Sequence, residues 1–238
     1  VEWRWWKKKT PGRVLRVRTR RDADQVSRVD LTDLVPPAAD YLAHLAATTL
    51  VLSHETSRVG AQAWSVVDQD AMARATQMLL SRYDRIHRLL SDYVADASEA
   101  MVAPLDQVKS QMSRMVADRW FERVATCYVV SGLMTDFYRT LAGGLPGPLG
   151  SEVKDILDAD SEAPVLAEVL GRVLELDDAY VSRVSLWSRR LVGDILLIAR
   201  GVLPRVGKSS ASGDRFEPLF TDILLGHTTR LEKLGLTA

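Results

Sequence analysis

The chain has 238 residues, 47% of them hydrophobic and 26% charged, the balance of an ordinary globular protein with ample material for a buried core. A formal net charge of zero argues against a whole-molecule polyanion binder, and the single cysteine, Cys127, excludes an internal disulfide and any Cys-rich zinc site. No apolar run reaches the roughly 18–20 residues that a membrane helix requires, and no apolar stretch follows the charged start as a secretory leader would demand. The expected address is therefore the reducing cytoplasm.

Residues 1–21 carry nine Lys or Arg against one acid, Glu2, which leaves the remainder with 22 basic and 30 acidic side chains. Trp3, Trp5 and Trp6 stand among those cations, and Thr10-Pro11-Gly12 interrupts them. Lacking helical periodicity, residues 1–34 read as a basic, disordered arm, and 35–238 as one helical domain. Cations interleaved with tryptophan suit RNA, whose phosphates they neutralise and whose bases they stack on. The same composition suits an anionic membrane face or the chain's own acidic body.

From Pro36-Pro37 onward helix follows helix. A proline pair suits a first turn, whose N–H groups have no partner in any case, and predicts a helix over 37–59 ended by Gly60. A second is predicted over 70–93, where Met72, Ala75, Leu79, Tyr83, Ile86 and Leu90 recur at three- and four-residue spacing. A connection is expected around Pro104, then a long third helix over 107–141 broken by the Gly- and Pro-rich residues 143–148. The next starts near Ser151, is kinked or restarts at Pro164, and runs to 174. A fifth spans 177–203 and stops at Pro204, residues 207–213 form a loop by composition, and a last helix covers 216–234. No segment alternates convincingly as a strand. Long helices joined by short loops predict an all-α fold, an up-and-down four-helix bundle with additional C-terminal helices.

Inside such a bundle an inward charge is costly unless it is paired or bound to metal. Bundles that hold two metal ions use lone carboxylates on two helices and a carboxylate-x-x-His pair on each of the other two. Asp84-x-x-His87 is one such pair; its bland reading is an exposed Asp beside a partly buried His. Glu55, in an otherwise apolar and small stretch, asks for a partner, and His44 lies about three turns earlier on the same face. On the third helix the candidate is Asp136, since Glu122 lies about 21 Å away along the axis. Arg190 and Asp194 are four apart and are expected to pair across one turn.

Several stretches together resemble a known group: Met101 to Asp106, Tyr128 to Tyr138, Arg183 to Asp194, and His227-Thr228-Thr229-Arg230-Leu231. From about residue 37 onward the chain is similar to the ferritin-like proteins of actinobacteria related to the hydroxylase of isopentenylated tRNA adenosine. That resemblance implies a four-helix core with a non-haem di-iron site and oxygen-dependent hydroxylation. By position the ligands would be Glu55 (or its neighbour His54), Asp84 with His87, and Asp136. The second carboxylate-x-x-His pair has no His here: one alignment gives Asp158-x-x-Ser161 and the next gives Ala159-x-x-Glu162. Two readings follow. In one, the chain is an iron- or manganese-dependent oxygenase with Glu55, Asp84, His87, Asp136 and Asp158 or Glu162 as ligands. In the other, it is a ferritin-like binding or scaffold protein whose inward polar residues pair with one another. Either fits a monomer or a homodimer.

Overall fold

Where a side chain can cap a helix, the helix starts at that side chain. The computed structural model describes residues 31–203 and 211–237. The described residues form α-helices and short 3-10 turns, with no strand. In chain order the α-helices are α1 (Ala38–Gly60), α2 (Val66–Ser91), α3 (Ala97–Met112), α4 (Trp120–Leu141), α5 (Leu149–Asp158), α6 (Ala163–Leu174), α7 (Asp178–Val202) and α8 (Ala211–Glu232). The backbone N–H of Asp68 donates to Ser65 Oγ at 3.1 Å, so α2 begins before the expected Asp70. Asp96 and Asp177 cap α3 and α7 by accepting from Glu99 N and Ala179 N.

Two assignments between residues 97 and 141 differ from the sequence reading. Pro104 is not a connection: it lies inside α3, where Met101, Pro104 and Val108 make one buried stripe packed on α1. The expected single helix over 107–141 is two. After Met112 the chain tightens into a 3-10 turn over Ser113–Met115 and then extends at Val116. Met115 and Ala117 are both buried at a spacing of two, a periodicity that extended chain satisfies and a helix does not. The indole N–H of Trp120 donates to Val59 O at 2.9 Å and ties the start of α4 to the end of α1. The restart expected at Pro164 is found: α5 and α6 are separate, with Asp160 at φ 44° between them and Pro164 in the first turn of α6. Of the expected arm 1–34, residues 1–30 lie outside the described residues, as do loop residues 207–210; Leu31–Asp33 form a 3-10 turn with Leu34 buried beside it, and Ala211–Gly213, expected as loop, begin α8.

α1, α2, α4 and the α5–α6 pair ring one apolar core, with α3 against α1 and with α7 and α8 against the outer side of α4. α1 and α4 are buried on nearly every side, which is why both carry so much Ala, Gly, Ser and Thr. Among the described residues no helix is long and apolar enough to cross a membrane. Close backbone approaches set the geometry at two glycines. A Cβ at Gly60 would stand 2.7 Å from Met72 Cβ, so α1 and α2 cross there in near contact. A Cβ at Gly150, in the first turn of α5, would run into the carbonyl oxygen of Ala142, which is backbone and cannot swing away. Gly150→Ala is therefore expected to lower unfolding free energy by about 1–3 kcal/mol despite alanine's better helix propensity. Urea titration followed by circular dichroism measures it, and a neutral or stabilising result would show that α5 shifts freely.

Candidate functional site

In the bundle interior, where metal ligands were expected, the most deeply buried ion pair among the described residues joins an arginine and a glutamate. Arg82 on α2 and Glu162 at the start of α6 have side chains 4% and 1% exposed. Arg82 Nη1 donates to Glu162 Oε1 at 3.1 Å, and Nη2 lies 2.7 Å from Oε2 in an ion pair whose angle falls outside hydrogen-bond geometry. The Ser131 hydroxyl on α4 donates to Glu162 Oε1 as well. Three helices thus meet at one carboxylate. About two turns further along α4, Tyr138 OH and Thr48 Oγ1 of α1 share a hydrogen bond of 3.0 Å, and Tyr41 OH donates to Tyr138 O at 2.7 Å. Burial pushes the Tyr138 phenol well above its ordinary range.

The six expected metal ligands do not converge on one point, and among the described residues no three His, Cys, Asp or Glu are grouped to hold a metal. Glu55 is half-buried and finds its partner in Arg58, three residues on, rather than in His44, whose Nδ1 contacts Asp40 O at 2.8 Å. His54 is exposed. Asp84 is exposed, and the half-buried His87 rests its ring against Tyr83, centroids 5.5 Å apart. Asp158 is exposed and takes both arms of the Arg139 guanidinium at 2.8 and 3.1 Å. Asp136 accepts from Arg230 Nη1 on α8 at 2.6 Å. Of the five carboxylates, all but Asp84 face an arginine. A guanidinium at contact distance takes the negative charge and the lone pairs that a dication needs. The donor set therefore does not fit a two-metal centre.

Arg82 and Ser131 were not singled out from the sequence, yet one signal points to the first. Arg82 stands three residues after Leu79 and four before Ile86, in the stripe's own register, whereas Asp84 falls off it. Two of the stretches noted above are also mates. Arg230, of His227-Thr228-Thr229-Arg230, crosses α4 so closely at Gly132 that a Cβ there would stand 2.7 Å from its Nε, and it ends on Asp136 four residues later. His227 is 3% exposed, its Nε2 has no hydrogen-bond partner among the described residues, and burial, helped by the Arg230 charge, lowers its pKa to about 4. On α7, Trp187 Nε1 donates to Thr126 Oγ1 of α4 at 2.8 Å. Arg190, expected opposite Asp194, instead lies over the Trp187 ring at 5.3 Å.

A family model described as a ferritin-like domain of actinomycetes matches residues 36–207, most of the chain and nearly all of the bundle. No curated protein matches it.

Proposed function

The chain belongs to the ferritin-like domain family of actinomycetes, and on that footing we propose that it is a binding or scaffold protein whose interior is held by an ion pair in place of a metal centre. The observation that carries this is the buried Arg82–Glu162–Ser131 junction. Glu162 is the one expected ligand carboxylate that lies fully inside the bundle, and a fixed cation already neutralises it. A dication entering there would meet the like charge of Arg82 within a few ångströms and would leave that guanidinium buried without a counter-ion. Fold alone carries no reaction, and the relation to tRNA hydroxylases rests on resemblance. That finer reading requires Glu55, Asp136 and Asp158 or Glu162 to give up their arginine partners, and the exposed Asp84 to turn inward with His87.

Metal content decides between the two. Protein produced with added iron and manganese is expected to retain well under one metal per chain, and a strong chelator is expected to leave its melting temperature unchanged. One or two metals per chain, lost in His87→Ala, would overturn the proposal and restore the oxygenase reading.

A further inference from the structure

The break between α3 and α4 leaves a cavity of about 360 Å³ between that turn, α1 and α4. This lies within the range of about 300–1,000 Å³ occupied by small-molecule sites. Its floor is apolar: Val51, Val59, Met112 and Met115 line it, each under a tenth exposed, with the Cys127 thiol beside them. The two methionines are unbranched and polarisable, and they suit a wall that adapts to its occupant. The mouth is charged. Glu55 there is taken up by Arg58, which leaves Lys109 and Arg123, neither with a carboxylate partner among the described residues. Arg123 is held rigidly, its Nε donating to Ala117 O and its Nη1 to Gln62 Oε1, both at 2.8 Å.

We infer that this cavity binds a small organic anion with an apolar body, the carboxylate or phosphate head on Lys109 and Arg123 and the body on the methionine-lined floor. The inference deepens the binding reading above and rests on it, naming the place and the ligand class. Charge selects the occupant. Beyond residue 21 the chain carries eight more acidic than basic side chains, so a mouth with two uncompensated cations stands out against it. The chain's own basic arm and the Arg205–Lys208 segment bear the same sign as the mouth and offer it no counter-charge. A neutral apolar molecule would leave both cations unused, and an amine would oppose them.

Titration calorimetry and thermal shift on the full chain test this, with octanoate and octyl phosphate as probes below their micellar concentrations, and with octylamine and octanol as controls. Saturable one-to-one binding of at least one octyl anion is expected, weakened by salt, with octylamine at least about tenfold weaker. Whichever anion binds tighter identifies the head group. Lys109→Glu, on an exposed side chain, is expected to weaken the anion about tenfold by reversing one contact. Ser113→Trp, at the exposed rim, should block the mouth without altering the melting temperature in the absence of ligand. Equal binding of octylamine, no saturable binding of either anion, or affinities indifferent to both substitutions would overturn the inference. Those outcomes are separable from failure of the metal-free reading. Retained metal would remove the ion-pair proposal while leaving anion binding to stand, and metal-free protein that ignores both anions would do the reverse.

Discussion

Arg82→Met is expected to lower unfolding free energy by about 3–5 kcal/mol, because it leaves Glu162 buried with no cation. For a chain of this size that corresponds to a fall in melting temperature on the order of 10 °C. Glu162→Leu should cost a similar amount, since it strands a guanidinium that is 4% exposed. The double variant is the informative one. With both charges gone, the desolvation cost of the pair disappears too, and apolar side chains of similar volume can fill the space. Its stability should return to within about 1 kcal/mol of the parent or exceed it, giving a strongly non-additive cycle. Ser131→Ala removes one hydrogen bond to the same carboxylate and should cost only about 1 kcal/mol. Urea unfolding of the parent and the four variants at pH 7 measures all of this. If either single variant lost less than about 1 kcal/mol, the pair would not be sealed from water, and the case for a closed interior would fall with it.

The second large effect is expected on acidification. His227 has its pKa lowered to about 4 from an ordinary 6.5, chiefly because burial disfavours the imidazolium and secondarily because Arg230 repels it. The folded pKa lies below the unfolded one, so as pH falls the unfolded chain takes up the proton first. The fold therefore carries no protonation penalty at this histidine above about pH 6.5, and it loses stability progressively as pH falls toward 4. That loss is at most on the order of 3 kcal/mol. His227→Leu should flatten that part of the profile. It should also match or exceed the parent at pH 7, because it replaces a buried nitrogen that has no partner among the described residues. Chemical denaturation of parent and variant at half-unit intervals between pH 4 and 7 checks both points, and the difference between the curves removes the contribution of the carboxylates. Parallel curves would show that the imidazole reaches solvent in the folded state.

The bundle itself was legible because its outer boundaries are written in residues with one strong local preference. Gly60 closes α1, the Gly-Pro run at 143–148 follows α4, and Pro204 follows α7. The turn inside 107–141 was not legible. Met112, Met115, Val116 and Ala117 continue the apolar content that a helix would show, and only the burial of Met115 and Ala117, with Val116 exposed between them, betrays extended chain. The start of α2 was missed for the opposite reason: Val66 and Val67 are exposed, so the apolar stripe does not reach back to the cap at Ser65. At the site, the Asp84-x-x-His87 spacing was visible, but spacing alone does not say which way a helix is turned. The stripe through Leu79, Arg82 and Ile86 does, and it places Arg82 inside while leaving Asp84 exposed. The partner of Arg82 lies 80 residues away on another helix, and no local signal announces such a meeting. Glu162 was found by position only, as one of two registers for a ligand. It is interior, as a ligand would be, and it holds an arginine.

Cys127 is 2% exposed, and burial pushes its thiol up to about 12. At neutral pH almost none of it is thiolate, the form that attacks disulfides, peroxides and electrophiles. Because it is the chain's one cysteine, copies of the folded protein have no practical way to become cross-linked through sulfur. Whether the surroundings favour glutathione or its disulfide, a thiol held protonated and out of solvent stays unreacted while the bundle is folded.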